Sequence, residues 1–142
     1  MTTPLALSHA FLLVTDHDEA LGFYRDVLGL EVKDDVTMGD YRWLSVTAPG
    51  TPEVKIALQT VGSYPGADEA DQEAMRGLLA KGLMTPMIFL TDDVDAAFER
   101  VAASGARVVQ EPTDQFYGVR DCGFTDPFGN MIRLSHPLPE AE

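Results

Sequence analysis

The sequence predicts an α+β fold in which two modules follow one another along the chain, each with a strand, a helix and three further strands (βαβββ). The first supporting observation is an internal duplication, since residues 12–32 and residues 88–108 share one plan. In both segments an apolar run leads into an acidic turn, an amphipathic helix, a glycine and a second strand. The second observation is size, because 142 residues, 45% of them hydrophobic, suffice to build a core.

Two registers relate the repeated segments. An offset of 76 residues pairs Gly29 with Gly105, whereas an offset of 77 pairs Asp16 with Asp93. The helices therefore align only to within one residue. A duplication is still the best account of the pattern.

The first module is predicted over residues 5–61. Its helix begins at Asp16 or Asp18, because either carboxylate can cap a helix N-terminus and interacts favourably with the positive end of the helix dipole. Gly29 ends the helix as a C-terminal cap. The apolar residues at helical spacing are Leu21, Tyr24 and Leu28. Three strands follow, in EVKDDVTM, YRWLSVTA and VKIALQT.

The second module is predicted over residues 83–137 and repeats this plan. Asp92 or Asp93 caps its helix, and Gly105 ends it. The apolar residues at helical spacing are Val94, Phe98 and Val101. The three strands that follow lie in ARVVQEP, VRDCGFT and NMIRLSH.

An acidic, turn-rich segment, residues 62–82, joins the modules. Its second half predicts a short helix with an apolar face formed by Met75, Leu78 and Leu79. The segment is either a linker helix or a flap over a cavity, and we favour the linker. Both modules and the linker then form one domain over residues 1–142.

The charge balance excludes two classes of partner. Ten basic residues stand against 23 acidic ones, which gives a formal net charge of −13. Nucleic acid and anionic membranes both need a basic surface, so we expect neither as a partner. No apolar stretch is long enough to cross a membrane, and the first residues lack the basic region of a secretory signal. A single cysteine, Cys122, excludes an internal disulfide, and we expect a cytoplasmic protein.

Three stretches carry a family resemblance: SHAFLLVTDHDEALGFYRDVLGLEV, LTDDVDAAFERVAASGARV and YGVRDCGFTDPFGNMIRL. In this order they resemble the vicinal oxygen chelate superfamily, which includes glyoxalase I, extradiol dioxygenases, fosfomycin-resistance enzymes and bleomycin-resistance proteins. The resemblance implies that the strands of each module form a curled mixed sheet, that the two modules surround a cleft, and that the chain forms a homodimer. It does not fix one activity, because function belongs to sites rather than folds.

The resemblance also implies where a divalent metal would bind. Metal-using members hold the ion with a His at the start of each module's first strand and a carboxylate in each module's last strand. In this sequence the four positions fall on His9, Thr85 or Pro86, Ala57 and Arg133. Only His9 is a plausible ligand, so we expect no metal site and no cofactor. The alternative is one divalent ion, such as Zn, Ni, Fe or Mn, held by His9 and ligands that this alignment misplaces.

Strand alternation then predicts which side chains line a small-molecule site. The predicted ligand-binding residues are His9, Phe11, Trp43, Gln59, Arg120, Cys122 and Arg133. Trp43 either stacks on a ligand or packs in the core or a dimer interface. Cys122 is also readily explained as a buried apolar residue.

Arg133 has two interpretations of equal weight. Together with Arg120 and His9 it could bind a carboxylate, phosphate or phenolate. It could instead form a salt bridge with Asp121 or with a carboxylate of a partner subunit, because buried arginines are normally paired.

Three functions follow from these observations. The first is a metal-free protein that binds a small organic molecule in the cleft. The alternative is a metal-dependent lyase, isomerase or dioxygenase that uses His9 as a ligand. A third is an interaction module whose dimer interface is its only role. Whether the chain is an enzyme stays open, and the sequence identifies no catalytic residue.

Overall fold

The computed structural model describes residues 3–140. This part of the chain contains eight β-strands and three α-helices. They fall into two compact units, Met1–Glu73 and Ala74–Glu142. The division lies inside the predicted linker.

The first unit is a four-stranded sheet with one complete helix. Its elements are β1 (His9–Val14), α1 (His17–Tyr24), β2 (Glu31–Met38), β3 (Tyr41–Thr47) and β4 (Lys55–Thr60), followed by a short 3-10 turn, Val61–Ser63. The strand order is β1-β4-β3-β2. The first strand runs parallel to β4, and the other neighbours are antiparallel.

The second unit repeats this arrangement after the helix α2 (Glu69–Ala80), which crosses the division between the units. Its remaining elements are β5 (Met87–Leu90), α3 (Val94–Ala103), β6 (Arg107–Asp114), β7 (Val119–Thr125) and β8 (Met131–Pro137). The strand order β5-β8-β7-β6 matches that of the first sheet, and β5 runs parallel to β8. The predicted α+β fold with two tandem βαβββ modules is confirmed, and neither sheet closes into a barrel.

The two repeat registers are both correct, in different parts of the module. Asp16 caps α1 by accepting a hydrogen bond from the amide of Glu19, at 2.8 Å, and Asp93 caps α3 in the same way through Ala96, at 3.0 Å. These caps follow the offset of 77. Gly105 directly follows the C-cap of α3, whereas α1 ends at Tyr24 and Gly29 ends the turns that follow it rather than the helix itself. Both glycines have positive φ, 79° at Gly29 and 90° at Gly105, and they follow the offset of 76.

One extra residue after α1 explains the change of register. The amide of Asp26 donates to the carbonyl of Leu21 at 3.1 Å, and the amide of Leu28 donates to that of Phe23 at 2.9 Å. Both bonds span five residues instead of four, which is the pattern by which a helix absorbs an insertion. The sequence alignment is therefore ambiguous because the first module carries a one-residue insertion.

Each module's helix covers one face of its own sheet. In the first unit α1 lies over the face of β3 that carries Arg42, since Arg42 forms an ion pair with Asp18 of α1. In the second unit Phe98 of α3 stacks on Phe124 of β7, with ring centroids 5.4 Å apart. The core lies under these helices, and it leaves each sheet a second face that its own helix does not cover.

The helix predicted in the second half of the linker is confirmed as α2, and its apolar face is only partly buried. Among its residues Leu79 is buried, whereas Leu78 is 46% exposed and Met75 is half-buried. Leu79 lies beside the turn formed by residues 126–130. A β-carbon added to Gly129 would overlap the carbonyl oxygen of Leu79. No helix in the described part of the chain has the length and apolarity needed to cross a membrane.

Candidate ligand-binding site

The first sheet gathers four of the predicted site residues on the face away from α1. Register neighbours share a face, and the parallel pairing sets His9 beside Lys55 and Phe11 beside Ala57. Gln59 lies two residues further along β4, on the same face and half-buried. Trp43 joins this face because its strand neighbour two residues on, Ser45, pairs with Ala57.

His9, Phe11 and Trp43 form what we call the aromatic cluster. The ring centroid of Trp43 lies 5.9 Å from that of His9 and 6.2 Å from that of Phe11, with tilted and edge-on geometries. Phe11 is 57% exposed, and the other two rings are half-buried. The Nδ1 atom of His9 lies 2.6 Å from the Ser8 hydroxyl. The cluster is thus a partly exposed, rigid aromatic surface that can stack on a planar molecule.

A paired charge accompanies the aromatic cluster on this face. The Asp34 carboxylate accepts a hydrogen bond from the Ser45 hydroxyl at 2.6 Å and lies 3.2 Å from the Lys55 ammonium. The hydrogen bond from Ser45, followed by that from Lys55, lowers the pKa of Asp34 although burial opposes the shift. Since Lys55 is opposed by this carboxylate, the pair adds no net charge to the face.

On the second sheet, Arg133 lies on the face away from α3 and forms a salt bridge within the chain. Its Nη2 atom lies 3.1 Å from Oδ2 of Asp121 on the neighbouring strand β7. The same nitrogen donates to Oε1 of Gln110 at 2.7 Å. Asp121 is 3% exposed. Of the two interpretations of Arg133, its pairing with Asp121 is confirmed.

Asp121 is the centre of a larger polar group. Its Oδ1 atom accepts hydrogen bonds from the side-chain amides of Gln110 and Gln115, at 2.8 and 2.9 Å. Its Oδ2 atom accepts one from the Tyr117 hydroxyl at 3.3 Å. Burial alone would raise the pKa of Asp121, but the hydrogen bonds from Gln115, Gln110 and Arg133 together outweigh it and lower that pKa. We call these five residues the Asp121 cluster.

Arg120 and Cys122 lie on the opposite face of the second sheet, so the structure does not bring them together with Arg133. They alternate with Asp121 and Gly123 along β7, so their side chains point toward α3. Cys122 is 0% exposed, and burial raises the pKa of its thiol to about 11. A thiol so buried is neither accessible nor ionised at neutral pH.

Arg120 is held by two carboxylates on the helix-covered face. Its guanidinium contacts Asp95 of α3 at 2.8 Å and Asp114 of β6 at 2.9 Å. The first module has the same arrangement, since Arg42 contacts Asp18 of α1 at 3.0 Å and Asp35 of β2 at 2.8 Å. A contact that the duplication repeats is readily explained as part of the scaffold, and ligand binding by Arg120 stays a prediction.

The structure resolves which residue takes the place of a second metal-binding histidine. Phe11 is the register neighbour of Ala57, and Ile88 is that of Arg133. The residue two positions before Ile88 is Pro86, as His9 is two positions before Phe11. Pro86 rather than Thr85 is therefore the counterpart of His9.

The resulting four positions do not fit a divalent metal. A proline ring, the methyl group of Ala57 and a cationic guanidinium at Arg133 offer no ligand, so His9 is the one donor among them. Within residues 3–140, moreover, no three His, Cys, Asp or Glu side chains are grouped so that they could hold an ion.

A sequence model of the Glyoxalase/Bleomycin resistance protein/Dioxygenase superfamily matches residues 6–134. The chain belongs to this superfamily. The expected resemblance is confirmed, and it covers both modules.

Three relatives show the range within this family. The crystal structure of UcmS2 is 36% identical in sequence, with a TM-score of 0.85, over 94% of this chain and 98% of that one. TnmS3, an antibiotic binding protein from Streptomyces sp. CB03234, is 26% identical with a TM-score of 0.74, over 96% and 99%. A probable lactoylglutathione lyase from Synechocystis sp. (strain ATCC 27184 / PCC 6803 / Kazusa) is 27% identical over 131 residues, 90% of this chain and 92% of that protein.

Sequence reasoning missed Gln110, Gln115 and Tyr117 as members of a polar group. The register of β6 against β7 shifts twice, between Val108 and Gln110 and again before Thr113. Such irregularities break the alternation by which side chains are assigned to faces. Ligand binding by the predicted residues, the homodimer and the cytoplasmic location stay predictions.

Proposed function

We propose that this protein binds a small organic molecule, that it does so without a bound metal, and that the molecule rests against the aromatic cluster. The observation that carries the proposal is the cluster itself. Three aromatic side chains meet on a sheet face that α1 does not cover, and Phe11 keeps more than half of its surface exposed. A partly exposed aromatic group held by neighbouring strands is a preorganised stacking surface.

The relatives support a binding function. TnmS3 is an antibiotic binding protein, and it shares the fold over nearly the whole chain. Binding needs only the shape and chemistry of the surface. We therefore assign this chain the role of binding a small molecule and holding it.

The donor set supports binding without a metal. The family includes a probable lactoylglutathione lyase, so a metal-dependent reaction is the natural alternative. Such a reaction needs a coordinated ion with open positions for substrate. In this chain Pro86 and Ala57 contribute no ligand atom, and Arg133 places a cation, already paired with Asp121, at the fourth position. His9 then serves as an aromatic partner of Trp43 rather than as a ligand.

The paired charges indicate the class of molecule. Lys55, beside the aromatic cluster, and Arg133, in the Asp121 cluster, are each opposed by a carboxylate. They are poor anion receptors in this state, since an anion would have to displace Asp34 or Asp121. The net charge of −13 also favours cations. We therefore propose a planar aromatic ligand that is neutral or cationic.

The experiment is a binding screen followed by calorimetry. A panel of neutral and cationic aromatic compounds, including bleomycin and acridine orange, is tested for an increase in melting temperature. Trp43 is the one tryptophan of the sequence, so a change in its emission locates a bound compound near the cluster. Phe11→Ala should weaken binding about tenfold, because a stacked ring contributes about 1 kcal/mol beyond the area it buries.

The matched control is Leu78→Ala, which removes a comparably exposed apolar side chain from α2. It should leave the affinity unchanged. The proposal is contradicted if no compound of the panel binds, or if Phe11→Ala and Leu78→Ala have the same effect.

A further inference from the structure

The turn that joins β6 to β7 carries an unusual pair of aromatic residues. Within residues 115–118, the side chain of Phe116 is 98% exposed and that of Tyr117 is 56% exposed. Their rings meet edge to face, with centroids 5.1 Å apart. A fully exposed phenylalanine contributes nothing to the core, and adjacent exposed aromatic rings are typical of contact surfaces.

Hydrogen bonds to the buried carboxylate of Asp121 hold this turn in place. Gln115 and Tyr117, on either side of Phe116, both donate a hydrogen bond to the buried carboxylate of Asp121. Arg133 binds the same carboxylate from β8. The chain therefore places a buried charge, which is costly unless fully paired, directly under an exposed aromatic turn.

Backbone contacts fix the turn further. The amide of Gln115 donates to the carbonyl of Val119 at 2.7 Å, and the amide of Leu138 donates to that of Gly118 at 2.9 Å. Gly118 has a φ of 92°, which a residue with a side chain rarely adopts. A turn restrained by both backbone and side chains presents its rings at little further cost in conformational entropy on binding.

The charges near residues 115–118 indicate which class of ligand the turn can bind. Arg133 is neutralised by Asp121, so the turn has no unpaired arginine to attract an anion. The faces of Phe116 and Tyr117 attract cations and stack on planar rings. The first sheet favours the same class of ligand, because Lys55 is paired with Asp34 beside the aromatic cluster.

We propose that Arg133 and Asp121 are positioning residues. They hold residues 115–118 so that Phe116 and Tyr117 contact a planar aromatic molecule that is neutral or cationic. The position that bears a metal-binding acid in metal-using relatives thus supports an aromatic contact in this chain. This inference rests on the proposed function, because it assumes the same class of ligand, and it concerns residues of the second unit alone.

The contact is tested with acridine orange, a planar aromatic cation whose fluorescence reports its binding. Phe116→Ala should weaken its binding about tenfold. Phe116→Tyr, which keeps the ring, should retain the wild-type affinity. Leu83→Ala, which removes another exposed apolar side chain from the second unit, is the matched control and should have no effect.

The positioning role is tested through the mobility of the turn. A reporter protein carries Phe116→Trp in a Trp43→Phe background, so that emission anisotropy describes residue 116 alone. Adding Gln115→Met or Tyr117→Phe removes one hydrogen bond to Asp121 while leaving Asp121 and Arg133 paired. Each should lower the anisotropy with little change in melting temperature. In protein that keeps Trp43 and Phe116, Gln115→Met and Tyr117→Phe should each weaken acridine orange binding about threefold, which is equivalent to loss of a weak hydrogen bond.

The outcomes separate this inference from the proposed function. If wild-type protein binds neither acridine orange nor any other compound of the panel, both fail together. If wild-type protein binds acridine orange and Phe116→Ala binds it equally well, the inference alone is overturned. Unchanged anisotropy in both Gln115→Met and Tyr117→Phe overturns the positioning role of Asp121 even where Phe116 proves to be a contact.

Discussion

Arg133 shows how a strand accommodates a guanidinium in an otherwise apolar stretch. Its register neighbour on β7 is Gly123, where an added β-carbon would lie 3.3 Å from Nη1. The missing side chain leaves room for the guanidinium to lie across β7 and reach Asp121. The glycine and the buried acid therefore both favour this arrangement of the arginine.

The tight turn before β8 depends on one buried carboxylate. Oδ1 of Asp126 accepts hydrogen bonds from the amides of Phe128, Gly129 and Asn130, at 2.9, 2.9 and 2.8 Å. Pro127 supplies a fixed φ at the second position of the turn. Gly129 has a φ of 119° and lies against the end of α2 at Leu79. The motif thus sets the turn and also anchors a helix.

Gly129→Ala should destabilise the protein by about 2 to 4 kcal/mol, because the residue needs a left-handed φ and a β-carbon there would overlap the Leu79 carbonyl. Urea unfolding gives the free energy directly. Gly77→Ala, within α2, is the control: an added β-carbon meets nothing there, and the change should stabilise by about 0.5 to 1 kcal/mol. Equal effects at the two glycines would contradict this account of the turn.

At the scale of the elements, a repeated ion pair joins each helix to its sheet. Arg42 and Arg120 both link an aspartate in the first turn of the helix to an aspartate of the neighbouring strand. These carboxylates also suit the positive end of the helix dipole. Hydrogen bonds from the arginines, the largest influence, lower the pKa of Asp35 and of Asp95 although burial opposes the shift.

These pairs predict a specific acid dependence. Because the folded-state pKa values of Asp35 and Asp95 lie below the unfolded ones, the contribution of these two carboxylates to stability is fully present above about pH 4 and is lost as the pH falls through the folded pKa. The melting temperature of the Arg42→Gln, Arg120→Gln double variant should therefore fall less steeply below about pH 4 than that of the wild type. Arg107→Gln, which removes an exposed cation from β6, should keep the wild-type slope. A double variant with the wild-type slope would show that the pairs do not stabilise the fold.

Regular patterns explain which elements could be predicted. Asp93 as a cap, Gly105 as a terminator and the alternation in MIRLS are local signals, and each is confirmed. The ion pairs of Arg120 could not be predicted in this way, because its partners lie 25 and 6 residues away in the sequence. They depend on how α3 and β6 pack on β7. The helix α2 was predicted, but the burial of its apolar face was not, because helical spacing shows which residues share a face but not whether anything covers them.

At the scale of the whole molecule, the two modules share one scaffold and differ in the side chains on the sheet face that their helices leave uncovered. The first module presents the aromatic cluster, while the second presents the Asp121 cluster. Hydrophobic periodicity and repeats determine the scaffold, so sequence reasoning predicted the fold and the face of His9, Phe11 and Trp43. The pairing of Arg133 with Asp121 depends on the register of β7 against β8, and the sequence therefore left it as one of two interpretations.

The central claim is that this member of the family binds an aromatic molecule without a metal, and one measurement tests it most directly. The metal content of the purified full chain is determined, and acridine orange is then titrated calorimetrically after EDTA treatment and after addition of zinc, nickel, iron or manganese. The account predicts far less than one metal per chain and the same affinity in every condition. Stoichiometric metal that is lost in His9→Ala, or binding that requires an added metal, would contradict it.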